Sequence, residues 1–189
     1  MKKTVLAAAI VLFAACSPKT SVLSPDGRIA VQFSLDASGI PSYRVDVDGQ
    51  PLVAPSAMGL VSDEVNLDSG FALKSSKVRS HKETWHQPWG ENKEVTDNHR
   101  ELSLKLKNEA GVGLTVVFRV FDDGFGFRYA YDVPQDTVRI VGERTQFAFA
   151  DDLERIGTRH RVGVPESEPV VEHPENDRQT YSRLVFQFQ

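Results

Sequence analysis

A single cysteine, Cys16, leaves this 189-residue chain with no internal disulfide and no thiolate metal cluster. Basic residues are in the minority, 22 Lys and Arg against 26 Asp and Glu, for a formal charge of −4. Neutralising a phosphate backbone takes clustered Lys and Arg. The sequence has no such cluster, so it expects no nucleic-acid partner. It also lacks any sustained run with apolar residues at i, i+3, i+4 and i+7, the signature of an amphipathic helix. No Gly-x-Ser-x-Gly elbow or Gly-rich phosphate loop is present, which removes elbow-type serine hydrolases and P-loop nucleotide enzymes. The longest apolar run, residues 5–15, is too short to cross a bilayer as a helix. What remains, 40% hydrophobic and 25% charged, is an ordinary globular composition sized for one modest domain.

Met1-Lys2-Lys3, the apolar run and Cys16 read together as an export signal over residues 1–15. Phe13-Ala14-Ala15-Cys16 resembles a bacterial lipobox, with Phe where Leu is usual, so Cys16 is the expected lipidation site. A plain secretory peptide with an incidental cysteine is the alternative. Cutting before Cys16 removes Lys2 and Lys3, and the formal charge falls from −4 to about −6. Residues 16–24 then form a lipidated tether, and the expected location is the periplasm or outer membrane, the lipid anchoring the chain to the membrane.

From residue 28 to about 150 the pattern is strand after strand. Arg28-Ile29-Ala30-Val31-Gln32-Phe33-Ser34-Leu35 places Ile, Val, Phe and Leu on one face at period two. Tyr43-Arg44-Val45-Asp46-Val47, then Asp48-Gly49 and Pro51-Leu52-Val53, predicts a hairpin, because Asp-Gly accepts the positive φ angles of a tight primed turn. Residues 100–107 alternate with Leu102, Leu104 and Leu106 facing inward, and pair with residues 113–121. A second hairpin turns at Asp122-Asp123-Gly124 and continues into an aromatic ladder of Phe125, Phe127, Tyr129 and Tyr131. Residues 137–150 predict one or two further strands ending in Gln146-Phe147-Ala148-Phe149. The expectation is an all-β, antiparallel domain over residues 25–152, in which many short strands with Gly/Pro turns favour a sandwich, a closed barrel being the alternative. Residues 153–189 form an atypical tail: positions 154–183 hold five Arg, six acids, three Pro and two His without periodicity.

Asp122-Asp123-Gly124 invites a calcium reading, but the further oxygen ligands such a loop needs are missing, and a hairpin turn explains it. His81 and His86 match no metal-ligand spacing, so His81, His86 and His99 read as ordinary surface or edge histidines. Trp85-His86-Gln87-Pro88-Trp89-Gly90-Glu91 is more pointed, since it brings both tryptophans of the chain together in a breaker-rich segment. Indole faces stack on sugar rings while Glu, Gln and His bind hydroxyls, making Trp85, Trp89 and Glu91 the candidate substrate-binding residues. The competing reading has one Trp plugging the sandwich core and the other covering its end.

That segment, together with Arg119-Val120-Phe121-Asp122-Asp123-Gly124-Phe125-Gly126-Phe127-Arg128-Tyr129 and Glu143-Arg144-Thr145-Gln146-Phe147, resembles the N-terminal domain of glycoside hydrolase family 97 in order and spacing. Ser24-Pro25-Asp26-Gly27 and Leu60-Val61 fit as well. The resemblance spans residues 21–152. It implies a large antiparallel β-sandwich that packs against a C-terminal (β/α)8 barrel in exported, calcium-dependent α-glucosidases and α-galactosidases, many of them lipoproteins. The implied partner is an oligosaccharide, an α-glucoside or α-galactoside. Glycosidic hydrolysis needs two carboxyls set around the scissile bond. In the family these carboxyls and most calcium ligands sit on the barrel, which this chain lacks. No catalytic or metal residue carries over, the chain is catalytically incomplete as written, and calcium belongs to the intact family enzyme, not to this chain alone. The alternative is a free-standing carbohydrate-binding lipoprotein. Read one nucleotide later through degenerate codons, residues 168–174 and 183–188 permit strings similar to the family's, so the expectation for residues 154–189 is an out-of-frame translation.

Overall fold

The computed structural model describes residues 18–86, 88, 93–135, 137–150 and 186–187. Every element among them is a strand, and every strand pairing is antiparallel. Strands β1 (Ser21–Leu23), β2 (Ile29–Leu35), β3 (Pro41–Val47) and β4 (Gln50–Ala57) form one sheet in that order. After the short β5 (Leu60–Ser62) come β6 (Ala72–His86), β7 (Glu94–Lys107), β8 (Gly113–Phe121) and β9 (Gly124–Asp132). Strand β10 (Ile140–Glu143) pairs with β5, and β11 (Phe186–Gln187) pairs with Gly124 and Phe125. The second large sheet therefore runs β11-β9-β8-β7-β6.

Period-two patterning decides which faces meet. Ile29, Val31 and Phe33 of β2 and Tyr43, Val45 and Val47 of β3 are buried, as are Leu102, Leu104 and Leu106 of β7 and Val116, Phe118 and Val120 of β8. The aromatic ladder seals the interface from β9: Phe125, Phe127 and Tyr129 are buried. Tyr43 meets Phe127 and Phe118 across the sandwich, at ring-centroid separations of 5.5 Å and 6.0 Å. Offset and tilted aromatic pairs at this range add to the area they bury.

The turns follow the sequence chemistry. Asp48 (φ 51°) and Gly49 (φ 77°) both take positive φ, closing β3 onto β4 as a primed turn requires. Gly39 (φ 68°) lies so close to the next loop that an added Cβ would sit 2.3 Å from the amide nitrogen of Phe71, so only glycine fits.

Three elements differ from the sequence expectations. β6 is a 15-residue strand that the sequence pattern does not single out, reading only a loop or strand end at Trp85, because it is an exposed edge strand and carries no apolar alternation. β7 begins at Glu94, ahead of the residue-100 start, for the same reason. The segment Gln146-Phe147-Ala148-Phe149 is not a sheet strand but runs beside β4. The amides of Ala54 and Ala150 donate to Ala148 and Leu52 (2.7 Å and 3.1 Å), and Val53 bridges Phe149.

Candidate carbohydrate-facing surface

β6 and β7 pair in continuous register from Ser75–Lys105 to His86–Glu94. β8 covers β7 only over residues 99–107, so beyond His99 the β6–β7 pair projects as a two-stranded arm. Alternate residues of a strand share a face. Trp85, Glu83, His81, Arg79 and Lys77 therefore line the side facing away from the sandwich, opposite Val95, Asp97, His99, Glu101 and Ser103. The cross-strand rows continue into β8, His99 opposite Phe121 and Glu101 opposite Arg119.

The middle of this column is a polar network. His81 Nε2 lies 3.5 Å from Glu83 and 3.8 Å from Asp97. His99 Nδ1 bonds the other oxygen of Asp97, and its ring lies 5.0 Å from His81 and 5.1 Å from Phe121 by centroid. Below it, Arg119 Nε donates to Glu101 at 3.1 Å. Planar donors and acceptors beside aromatic faces are the equipment for binding sugar hydroxyls and C–H faces.

Trp85 is 42% exposed, which removes it from the core-plugging reading; Phe and Tyr rings fill that role instead. Trp89 and Glu91 fall outside the described residues, as does Cys16. His81 and His86 are exposed on edge strand β6, as expected, but His99 is buried at 4% exposure. Phe121 and Asp97 cover it, a tertiary arrangement that histidine spacing alone did not reveal. The sequence reading does not place His99 and Asp97 on the Trp85 face; the alternation of β7 extended back past Arg100 is the signal that places them there.

Behind the arm, the Ser24-Pro25-Asp26-Gly27 turn braces its base. Asp122 accepts from the Asp26 amide at 2.7 Å and from Asn98 Nδ2 at 3.4 Å, and Arg100 donates to the Pro25 carbonyl at 3.4 Å. The Ser24 hydroxyl outweighs the opposing effect of burial and, with the Arg28 amide and Asp122, holds the Asp26 carboxyl below the usual carboxylate range. Asp122-Asp123-Gly124 is thus a working hairpin turn between β8 and β9. Among the described residues no group of three or more His, Cys, Asp or Glu could hold a metal ion.

Glu143-Arg144-Thr145-Gln146-Phe147 anchors the far side of the sandwich. Arg144 donates to the Gly59 carbonyl at 2.9 Å and pairs with Asp68, and Tyr43 donates to the Gln146 carbonyl at 3.0 Å. The Gly59 amide donates to the Tyr129 hydroxyl (3.2 Å), which lies 2.7 Å from Thr145 Oγ1, and Thr145 donates to Glu143. Burial pushes the hydroxyls of Tyr43 and Tyr129 well above their ordinary value. A cavity of about 350 Å³ curls within residues 60–68, where Asp63 and Asp68 are already paired with Arg139 and Arg144.

The family model described as Glycosyl-hydrolase 97 N-terminal matches residues 22–183. The chain belongs to this family. A probable retaining alpha-galactosidase of Streptomyces bingchenggensis is 25% identical over 135 residues, 70% of this chain and 21% of that protein. A glycoside hydrolase family 97 enzyme of Pseudoalteromonas sp. strain K8, solved with panose and with acarbose, superposes with a TM-score of 0.65 and 30% identity over 70% of this chain and 20% of that one. A β-arabinopyranosidase shares the fold with the same TM-score at 23% identity over 81% of this chain. The chain spans about a fifth of the length of the relatives it matches. The family match also runs past residue 152, the expected end of the sandwich.

Proposed function

We propose that this domain is the carbohydrate-facing β-sandwich of an exported, calcium-dependent α-glycosidase, lipid-anchored through Cys16 at the periplasmic or outer-membrane surface. In this reading its outward arm shapes one wall of an oligosaccharide site and the domain supports a metal site held elsewhere in the longer enzyme. One observation supports it above the others: Trp85 is exposed on the same strand face as His81, Glu83 and Asp97, clear of the sandwich core. An aromatic face flanked by planar hydrogen-bonding groups binds a sugar ring by stacking plus hydroxyl contacts. Acid–base cleavage of the glycosidic bond belongs to paired carboxyls outside this chain. The nearest carboxylate pair on the arm, Glu83 opposite Asp97, is engaged by His81 on an open strand face.

Only two tryptophans are present in the sequence, and Trp85 stands on the arm, so intrinsic fluorescence reports on this surface. Titration with maltooligosaccharides and α-galactosides is expected to change the emission, and Trp85→Ala to abolish most of the change. The chain should turn over no α-glycoside with or without calcium. Turnover by the chain alone overturns the assignment of the chemistry to carboxyls outside it. Binding without any role in a longer enzyme favours the free-standing carbohydrate-binding lipoprotein.

A further inference from the structure

The outward face changes character below the histidine network. Arg79 and Arg119 flank Glu101 in one cross-strand row. Lys77 stands in the next row with Ser103, the buried Val117 and Arg128, and Lys105 in the row after that with Ser75 and Thr115. Neighbouring strands lie about 4.8 Å apart, and alternate residues along a strand about 6.6 Å apart. Five cations, Lys77, Arg79, Lys105, Arg119 and Arg128, thus stand in three adjacent rows that hold one carboxylate, Glu101, on a chain whose formal charge is −4. Glu101 pairs with Arg119, while Lys77, Arg79 and Lys105 have no ion-pair partner among the described residues.

Lysines on an edge strand commonly guard against edge-to-edge aggregation, and that accounts for Lys77 on β6. It does not account for Lys105 or Arg119, which sit on the interior strands β7 and β8. Their concentration on one sheet face of a net-negative chain makes a local positive field that an anionic ligand complements.

We propose that this face binds an oligosaccharide bearing carboxylate or sulfate groups, its rings running toward Trp85 and its acidic substituents lying over Lys77, Arg79 and Lys105. Trp85 and Arg79 are six residues apart on one strand, about 20 Å, so the ligand spans several sugar units. This rests on the carbohydrate reading of the same surface and names the substrate class for it.

The test is titration of the full chain with oligogalacturonate, dextran sulfate and uncharged maltoheptaose at low and high salt, followed by tryptophan fluorescence and calorimetry. The acid-bearing glycan that binds identifies carboxylate or sulfate as the recognised group. Its affinity should fall about tenfold in the Lys77→Gln/Arg79→Gln double variant, the scale of two exposed charge contacts, and fall with added salt. Both positions are exposed, and circular dichroism checks that the variant keeps its strands. Equal binding of an acid-bearing glycan by the double variant overturns the inference. Binding of maltoheptaose alone also overturns it while leaving the proposed function standing. If no glycan binds, both fall.

Discussion

Strand β7 crosses two environments. From Leu102 to Leu106 it lies between β6 and β8, and its three leucines are buried against the opposite sheet. Over residues 94–98 it has only β6 beside it, and none of its side chains is buried. The first part carries stability and the second exposes polar side chains, so the same backbone pairing tolerates very different sequences. Where a face is buried, the hydrophobic effect dictates alternate residues; where both faces meet water, function is free to choose them.

Core substitutions should test that contrast most sharply. Phe118→Ala removes a ring packed against Tyr43 and Phe127 and should cost about 3–5 kcal/mol in urea unfolding. A loss below 1 kcal/mol would show that the aromatic cluster is not the structural centre.

Alkaline titration comes next in size. Tyr43 and Tyr129 have folded pKa values raised above the ordinary 10, so their contribution is complete below pH 10. Above pH 10 the unfolded chain ionises first, and stability should fall by about 1.4 kcal/mol per pH unit for each tyrosine. Tyr43→Phe should remove about half of that slope, and an unchanged slope between pH 10 and 11 would contradict the burial argument.

Acid titration of the brace should be smaller. Asp26 has its folded pKa lowered, so its stabilisation is present above the unfolded value of 3.8 and is lost as pH falls through the folded value. Being exposed, it is screened by solvent and contributes under about 1 kcal/mol. Asp26→Asn should flatten the unfolding midpoint between pH 4 and 2; an unaltered acid limb would remove the carboxylate from the brace.

Much of the sandwich was legible because buried strands write their burial into the sequence. The alternation in β2, β8 and β9, the three leucines of β7 and the Asp48-Gly49 turn each place residues by period and turn chemistry. The arm was not legible. Lys, Arg, Ser, His and Glu along β6 form no apolar period, and only pairing with β7 makes them a strand. The Trp85 segment attracted attention by residue type alone; its neighbours His81, Glu83 and Asp97 emerged from register. Gln146-Phe147-Ala148-Phe149 resembled a strand because its aromatics pack inward. It runs beside β4 through irregular hydrogen bonds rather than as a sheet strand.

Smallest of the expected effects is Trp85→Ala, which should alter unfolding stability by no more than about 0.5 kcal/mol while removing sugar-induced fluorescence change. A large stability loss would make Trp85 a structural residue of the arm.

The sequence by itself determined the all-β class, the inward aromatic ladder and the tight turns, because burial and backbone sterics act over a few neighbouring residues. Only the tertiary structure decided which polar residues share a face. His81 meets Asp97 and His99, Arg119 meets Glu101, and Lys77, Arg79 and Lys105 gather on the outward sheet face through pairings between residues far apart in the chain. Strand register sets those meetings, and a slip of one residue would turn every one of them to the opposite side.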